Sequence, residues 1–501
     1  MMLFLDPTKK DFEPFRNDVQ FIEPPTWQTI NFMDDASNDN SAPDNMTNDS
    51  SSTFETSSVR SKVDFSERTV LVTGATGFVA GHVIKQLIER GYQLRVSLRD
   101  LTHREKIMHF TEWVQWDTQI ELVQLDLDND DMEQYYKAVH GCTYVFHLAG
   151  PTIQSYLYKQ KNNINSSDFS FQGNKHPSNE YSNSDMYGFS NPNPSQPLDF
   201  KRYAHDKIIN PTINGTVNIL KACLKTLQVK KLVVIGSYGC LFENPPTDHV
   251  VTEADWNEST NPLKFPYHYA KAVAEIEALN LYNQEKTRRE QIFDMIFIHP
   301  TMVVGPILSP NPLNYSISLV AHFLARNFLT VPNFGYGFVD VRDLAVAFVL
   351  AAESKIPSGR YICSSFSLWL SELSSMLQHY FPQYASFGLP VPDAVTRAKT
   401  YMKKKNKKKQ VSVAQANSYT YITLSNTNPV DPELAKKTPT HSHMDIMFSK
   451  DYMDTCLGKC PVFDTTKIRE DLDLKITPLA TTLVDSVKSL IEFGFIQKRW
   501  K

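Results

Sequence analysis

Short apolar runs alternate along the chain with longer stretches of helical periodicity. The runs are rich in β-branched and aliphatic residues, as expected for strands buried in a parallel sheet. They lie at Thr69–Thr73, Tyr92–Leu98, Ile120–Leu125, Tyr144–Leu148, Lys231–Ile235 and Phe293–His299. Between them, apolar residues recur every three or four positions, as they do on one face of a helix. This order of elements predicts an α/β fold with a doubly wound parallel sheet.

The first run leads directly into a glycine turn and a helix. Gly74 and Gly77 follow the strand, and apolar residues from Val79 to Leu87 then repeat at helical spacing. Glycine lets the backbone turn sharply beside a pyrophosphate, and the N–H groups at a helix N-terminus attract its negative charge. The stretch 73–84, TGATGFVAGHVI, therefore predicts a Rossmann-type dinucleotide site. A glycine-rich turn in another kind of α/β protein is the alternative that this stretch leaves open.

The end of the second strand bears on the choice between the two nicotinamide cofactors. An acidic residue there would bind the ribose 2′-hydroxyl of NAD, whereas an arginine suits the 2′-phosphate of NADP. Arg99 stands at this position, with Arg95 and Arg104 nearby, and we therefore predict NADP(H). Asp100 adjoins Arg99 and weakens the prediction, and a solvated surface arginine is the alternative.

Two further strand ends face the predicted cofactor crevice, because ligands of doubly wound sheets bind at the carboxyl ends of the strands. Asp126 and Leu127 lie at the end of the third strand, and Ala149 follows the fourth. We therefore expect these residues to border the cofactor.

Three side chains that suit carbonyl reduction follow in order after the glycine turn. Ser237 comes at the end of a strand, and Tyr267 and Lys271 open a later helix. Residues four apart share a helix face, so the ammonium can stabilise the phenolate and lower its pKa from about 10. Tyr267 would then exchange the proton, Ser237 would orient the substrate oxygen, and the cofactor would supply the hydride. Lys271 could also hold a ribose hydroxyl.

Each of these residues also has a plainer interpretation. The YxxxK spacing is common by chance, and its value lies in its place after the glycine turn and the serine. Tyr267 could be a packing aromatic residue, and Ser237 an ordinary serine at a strand end. Tyr269 competes with Tyr267 but has Val273 four positions on, where a lysine is needed, so we favour Tyr267.

Further motifs extend this pattern over residues 67–390 and 461–497, apart from one insertion. The motifs are TGATGFVAGHVI (73–84), RVSLRD (95–100), LDL (125–127), HLAGP (147–151), PTINGTVNILKAC (211–223), VVIGSYG (233–239), YHYAK (267–271), HPTMVVGP (299–306), FVDVRDLAVA (338–347), GRYI (359–362) and FDTTKIREDL (463–472). Together they resemble the extended short-chain dehydrogenase/reductases, specifically the dihydroflavonol-4-reductase-like branch. The chain is similar to the fungal NADPH-dependent methylglyoxal and aldehyde reductases of that branch.

The resemblance implies a role for each matching residue. The implied cofactor residues are Gly74, Gly77 and Phe78 at the pyrophosphate, Arg99 at the 2′-phosphate, Asp126 and Leu127 at the adenine, Ala149, Pro300 and Val303 at the nicotinamide, and Tyr267 and Lys271 beside them. Ser237, Tyr267 and Lys271 would form the catalytic triad. One departure concerns Gly236, since the family usually has Thr-Ser-Ser where this chain has Gly236-Ser237. Ser237 aligns with the catalytic serine of that motif.

Low-complexity segments interrupt the predicted folded regions. We predict a disordered tail at 1–65, an NADP-binding Rossmann core at 66–306 with an insertion at 153–198, a smaller C-terminal substrate lobe at 307–396 and 459–501, and a lysine-rich insertion at 397–458. The tail and the first insertion are polar and aperiodic, which is typical of segments without a core. Lys403–Lys405 and Lys407–Lys409 predict a solvated loop, with nuclear localisation or polyanion binding as the minority alternative.

Composition narrows the choice of partners. The 501 residues carry a formal net charge of −4 and no run of about 18 apolar residues, so neither nucleic acid nor a membrane is favoured. The six cysteines are scattered without a CxxC spacing, which favours free thiols in a cytosolic protein over a metal site. We therefore expect a cytoplasmic protein that acts on a small carbonyl compound. The sequence does not predict its oligomeric state.

Three functional hypotheses follow from these patterns. The first is an NADPH-dependent reductase that converts aldehydes or ketones to alcohols. The second is a catalytically weak NADP-binding regulatory or scaffold protein, which the insertions suggest and the intact Ser237, Tyr267 and Lys271 oppose. The third is an enzyme like the 3β-hydroxysteroid or nucleotide-sugar dehydrogenases, which the motifs at 95–100 and 338–347 favour less.

Overall fold

The computed structural model describes residues 69–102, 106–107, 119–151, 200–244, 246–309, 314–325, 330–384, 389–390, 414–416, 419–421 and 455–496. The predicted tail at 1–65, the insertion at 153–198, Arg104 and both lysine runs lie outside these residues.

The described strands and helices are numbered here in chain order. The strands are β1 (Thr69–Thr73), β2 (Gln93–Leu98), β3 (Ile120–Gln124), β4 (Tyr144–His147), β5 (Lys231–Ile235), β6 (Val250–Val251), β7 (Asp294–Pro300), β8 (Met302–Val304), β9 (Thr330–Val331), β10 (Gly335–Asp340), β11 (Gly359–Cys363), β12 (Phe366–Trp369), β13 (Leu389–Pro390), β14 (Ala414–Ala416), β15 (Tyr419–Tyr421) and β16 (Val462–Phe463). The α-helices are α1 (Phe78–Glu89), α2 (Met132–Val139), α3 (Phe200–Ala204), α4 (Asn210–Lys225), α5 (Pro266–Arg288), α6 (Tyr315–Leu324), α7 (Val341–Glu353), α8 (Leu370–Tyr380), α9 (Thr466–Leu472) and α10 (Leu479–Glu492). A π-helical turn covers His205–Ile209, and 3₁₀ turns cover Tyr238–Cys240 and Pro382–Tyr384.

Seven parallel strands form the main sheet, in the order β3-β2-β1-β4-β5-β7-β11. The chain winds away in opposite directions from the boundary between β1 and β4, which makes this boundary the topological switch point. The arrangement confirms the predicted doubly wound, Rossmann-type α/β fold. A ligand site is therefore expected at the carboxyl ends of β1 and β4, where such folds bind their ligands.

Alternate residues of β1 enter two different cores, which explains why the strand is apolar on both faces. Val70 and Val72 belong to the cluster that includes Phe348 of α7. Leu71 belongs to the cluster that includes Ile219 of α4. Because helices cover both faces of the sheet, a polar residue in the middle of β1 would be buried on either side.

A second sheet of three strands, in the order β12-β10-β8, lies beyond the end of β7. Strand β10 runs parallel to β8 and antiparallel to β12. A third apolar cluster joins Phe338 of β10 to Phe323 of α6, Leu373 of α8 and Val487 of α10. Most of its members come from the predicted C-terminal lobe, whose boundaries stay predictions. None of the helices in the described part of the chain combines the length and apolarity that crossing a membrane requires.

Candidate active site

The glycine turn joins β1 to α1 and packs against the end of β4. Gly74 has a φ of +73°, a left-handed conformation that strains residues with a side chain. A Cβ on Gly74 would stand 2.8 Å from the Cα of Ala149, so glycine is what lets the two segments touch. Gly77 is the N-cap of α1, and its N–H donates to the carbonyl of Gly74 at 2.9 Å. Phe78 begins the helix, whose N-terminal N–H groups suit a pyrophosphate.

Thr73 fixes this turn to β4, a role that the sequence analysis missed. Its buried hydroxyl accepts the backbone N–H groups of Leu148 and Ala149, each at 3.0 Å. The same oxygen lies 3.0 Å from Nδ1 of His147. A hydroxyl at the last position of an apolar strand was the one sequence signal for this contact.

Arg99 and Asp126 come together beyond the ends of β2 and β3. The Nε of Arg99 lies 3.6 Å from Oδ1 of Asp126, and both side chains are partly exposed. Arg95 points elsewhere, because its guanidinium donates to backbone carbonyls at the end of α2, including that of His140 at 2.6 Å. Arg95, which was counted with Arg99 and Arg104 in favour of NADP(H), therefore gives that prediction no support.

The remaining predicted cofactor residues lie after β3, at the end of β7 and in β8. Leu127 packs so closely on α4 that a Cβ on Gly215 would stand 2.9 Å from its Cδ2. Pro300 is the last residue of β7, and Val303 lies within β8 and is buried in the main core. These positions are at the carboxyl side of the sheet, and the contacts of these residues with a cofactor stay predictions.

Ser237 and Tyr267 meet just beyond the end of β5. Ser237 caps the 3₁₀ turn that follows, with its Oγ accepting the N–H of Gly239 at 3.1 Å. The side chain of Tyr267, in the first turn of α5, faces that of Ser237, whose hydroxyl favours the phenolate. Tyr269, the alternative weighed from the sequence, packs instead on the cluster that contains Ile209. The structure thus pairs the serine with the tyrosine that the sequence favoured.

Lys271, on the same helix as Tyr267, lies beside the loop that contacts the glycine turn. Its Nζ donates to the carbonyl of Ile235, the last residue of β5, at 2.9 Å. A Cβ on Gly150 would stand 3.4 Å from the same nitrogen. Because Ala149 touches Gly74, one short loop after β4 contacts both the glycine turn and the lysine. The predicted catalytic and dinucleotide sites therefore border the same crevice, at the switch point of the sheet.

Burial sets the pKa values of the two titratable residues of this site. It raises the pKa of Tyr267 to about 12, with the neighbouring Cys240 adding to the rise and the Ser237 hydrogen bond opposing it. It lowers the pKa of Lys271 to about 8, while Cys240 and Glu275 oppose the fall. The YxxxK spacing predicted a lowered pKa for this phenol. In the protein alone the shift is upward, because burial disfavours the phenolate.

A buried ion-paired cluster lies one helical turn beyond Lys271. The carboxylate of Glu275 lies 3.0 Å from Nε2 of His299 and 2.8 Å from Nε of Arg360. Burial raises the pKa of Glu275, but His299 and Arg360 outweigh it and the net pKa is lowered. Cys240, Glu275 and His299 are close enough to form a metal site, yet the carboxylate already binds Arg360. This cluster was not predicted from the sequence, although Glu275 follows Lys271 by four residues and so shares its helix face.

Comparison with known proteins agrees with this architecture. The model of the NAD dependent epimerase/dehydratase family matches residues 70–166 and 201–363. The chain is 30% identical over 328 residues to cinnamoyl-CoA reductase 2 of Medicago truncatula, covering 65% of this chain and 80% of the relative. It is 30% identical over 321 residues to the bifunctional dihydroflavonol 4-reductase/flavanone 4-reductase of Malus domestica, covering 63% and 77%.

Solved structures show the same fold at lower identity. A yeast methylglyoxal/isovaleraldehyde reductase complexed with NADPH superposes with a TM-score of 0.56 at 18% identity, covering 85% of this chain and all of that one. Vestitone reductase from alfalfa gives a TM-score of 0.53 at 19% identity, covering 85% and 99%. The resemblance inferred from the motifs is confirmed. The chain belongs to the NAD dependent epimerase/dehydratase family, among the extended short-chain dehydrogenase/reductases with reductase relatives of the dihydroflavonol-4-reductase type.

Proposed function

We propose that this protein is an NADPH-dependent reductase that converts aldehydes or ketones to alcohols. The observation that carries the proposal is the meeting of three groups at one crevice. The facing side chains of Ser237 and Tyr267 lie beyond β5, and the ammonium of Lys271, on the same helix as Tyr267, reaches the loop that touches the glycine turn. The reductase names of the relatives support this class of reaction.

The residues at the glycine turn fit a dinucleotide cofactor. Gly74 and Gly77 leave the backbone bare where α1 begins, so a pyrophosphate can approach its N–H groups. Arg99 stands at the end of β2, where a guanidinium can pair with a 2′-phosphate. NADPH accompanies the yeast and Candida albicans reductase structures, which supports NADP(H) as the cofactor here. When bound, NADPH would supply the hydride.

Ser237 is set to donate a hydrogen bond to a carbonyl oxygen. Its Oγ accepts the N–H of Gly239, so the group can give only its hydroxyl proton to another oxygen, that of Tyr267 in the protein alone or that of a bound carbonyl compound. A donor aimed at an oxygen that gains negative charge stabilises the transition state more than the ground state. We therefore assign Ser237 to orienting and polarising the substrate carbonyl.

Tyr267 is set to give a proton in the reductive direction. Because burial raises its pKa to about 12, the phenol is protonated at neutral pH, which is the form that an alkoxide requires. The proton transfer leaves a phenolate, and the ammonium of Lys271, four residues on, stabilises that charge. One N–H of Lys271 is fixed by the carbonyl of Ile235, which holds the charge in place.

Consumption of NADPH with a panel of aldehydes and ketones tests the proposal. The full chain is incubated with each compound and with NADPH or NADH, and absorbance loss is matched to the alcohol formed. We expect at least one carbonyl compound to give alcohol in a one-to-one ratio with NADPH consumed. Tight NADPH binding without turnover of any compound would refute the proposal and favour a scaffold.

A further inference from the structure

The imidazole of His299 occupies the space that Gly236 leaves open just before the catalytic serine. A Cβ on Gly236 would overlap the ring at Nδ1 and Cε1. The ring is completely buried, and its Nδ1 lies 3.3 Å from the backbone nitrogen and 3.2 Å from the carbonyl oxygen of Ser237. His299 therefore contacts the backbone of Ser237 directly, across 62 residues of sequence.

This contact persists in either protonation state of the ring. A neutral ring with its proton on Nε2 keeps that nitrogen 3.0 Å from the carboxylate of Glu275, in an electrostatic contact that lies off the N–H direction, and its Nδ1 accepts the N–H of Ser237. A doubly protonated ring donates from Nδ1 to the carbonyl of Ser237 instead. In both states His299 connects the backbone of Ser237 to a carboxylate on the helix that carries Tyr267.

Arg360 makes this connection rigid. Its Nε donates to Glu275 at 2.8 Å, and its Nη1 donates to the backbone carbonyls of Glu253 and Asp255 at 2.8 Å and 2.6 Å. The guanidinium also stacks 3.6 Å above the ring of Trp256. A buried carboxylate with two cationic or donor partners is costly to displace, because breaking one pair leaves an uncompensated charge.

We propose that His299 is a positioning residue, which is held by Glu275 and fixes the backbone of Ser237, and with it the direction of the serine hydroxyl. The inference rests on the proposed function, since it concerns the serine of that reaction. A metal ion on Cys240, Glu275 and His299 is the competing use of these groups. The structure favours the ion-paired network, because a divalent cation there would stand beside the guanidinium of Arg360.

Two isosteric substitutions separate positioning from simple structural support. In His299→Asn the amide lies where Nδ1 was and can still accept the N–H of Ser237, whereas the contact with Glu275 is lost. In His299→Gln the amide lies nearer the position of Nε2, so it keeps Glu275 and loses Ser237. We expect His299→Gln to lower kcat by about 10- to 100-fold with an unchanged Kd for NADPH, and His299→Asn to retain most of kcat.

The decisive comparison repeats His299→Asn and His299→Gln in a protein that also carries Ser237→Ala. If His299 acts through the serine hydroxyl, Gln and Asn at position 299 should give equal kcat once that hydroxyl is gone. Tyr282→Phe is the control, because it removes two partly buried hydrogen bonds of the same helix, to the carbonyl of Phe293 and with the hydroxyl of Ser358, without touching Ser237. It should lower Tm and leave kcat unchanged.

The outcomes distinguish this inference from the proposed function. An active wild-type protein whose Gln and Asn variants have equal kcat, or whose Gln variant is the more active, overturns the positioning role alone. A wild-type protein that reduces no carbonyl compound overturns the proposed function and the positioning role with it. A rise in activity on adding Zn²⁺, lost in Cys240→Ser, would instead assign the cluster to a metal.

Discussion

The ammonium nitrogen of Lys271 lies 3.4 Å from the point where a side chain on Gly150 would begin. This approach brings helix α5, which carries the proposed catalytic residues Tyr267 and Lys271, against the loop after β4, and the preceding residue, Ala149, touches the glycine turn. The lysine thus lies on the helix of the proposed proton donor, Tyr267, and beside the loop that contacts the predicted nucleotide site. Its charge state should therefore govern the rate.

The pH dependence of reduction should report Lys271. Burial lowers its pKa to about 8, so kcat should fall as the pH rises through about 8 and the charge that stabilises the phenolate is lost. Tyr267 stays protonated over this range, because burial raises its pKa to about 12. The measurement is kcat against pH at saturating NADPH.

Glu275→Gln provides the internal check on this assignment. The carboxylate of Glu275 raises the pKa of Lys271 against the effect of burial. Its removal should therefore shift the fall in kcat to lower pH. A descending limb at the same pH in both proteins would assign the titration to another group.

Gly74→Ala should weaken cofactor binding as well as stability. The new Cβ would stand 2.8 Å from the Cα of Ala149 and force the turn away from β4. Gly91→Ala is the matched control, since Gly91 has a φ of +79° and nothing within 4 Å of an added Cβ. Each variant should lose about 1 kcal/mol of unfolding free energy from backbone strain. Fluorescence titration should show a raised Kd for NADPH in Gly74→Ala only. Equal Kd values in the two variants would contradict the role of the Gly74 turn in binding the cofactor.

Arg99→Glu should shift the cofactor preference toward NADH. It removes a guanidinium from the predicted 2′-phosphate site, and a charged hydrogen bond of this kind contributes about 1.5–3 kcal/mol. The ratio of kcat/KM for NADPH over NADH should fall at least about 10-fold. Arg95→Gln, which instead frees backbone carbonyls at the end of α2, should lower Tm and keep the ratio. An unchanged ratio in Arg99→Glu would remove Arg99 from the cofactor site.

The sequence predicted the parts of the site that depend on local order. The strand, glycine turn and helix around Gly74 are contiguous, so composition and periodicity were enough to place them. Tyr267 and Lys271 lie within one helical turn, and spacing alone put them on the same face. Because parallel strands end at one edge of a sheet, Ser237 and Ala149 could also be assigned to the same crevice.

The sequence could not predict contacts that depend on register and packing. Arg95 forms an ion pair with Glu121, which lies opposite it on the neighbouring strand β3. The number of arginines near Arg99 in the sequence does not indicate this strand register. His299 reaches Ser237 only because β5 and β7 are adjacent and Gly236 has no side chain. The upward pKa shift of Tyr267 follows from burial, which only the folded chain defines.

Turnover by Tyr267→Phe tests the central claim most directly. The substitution removes one hydroxyl, the proposed proton donor, and keeps the ring. With the best carbonyl compound and saturating NADPH, we expect kcat to fall by about 100- to 10,000-fold, while the Kd for NADPH stays within about twofold. A kcat equal to that of the unaltered protein would contradict the account, because the proton would then come from another group.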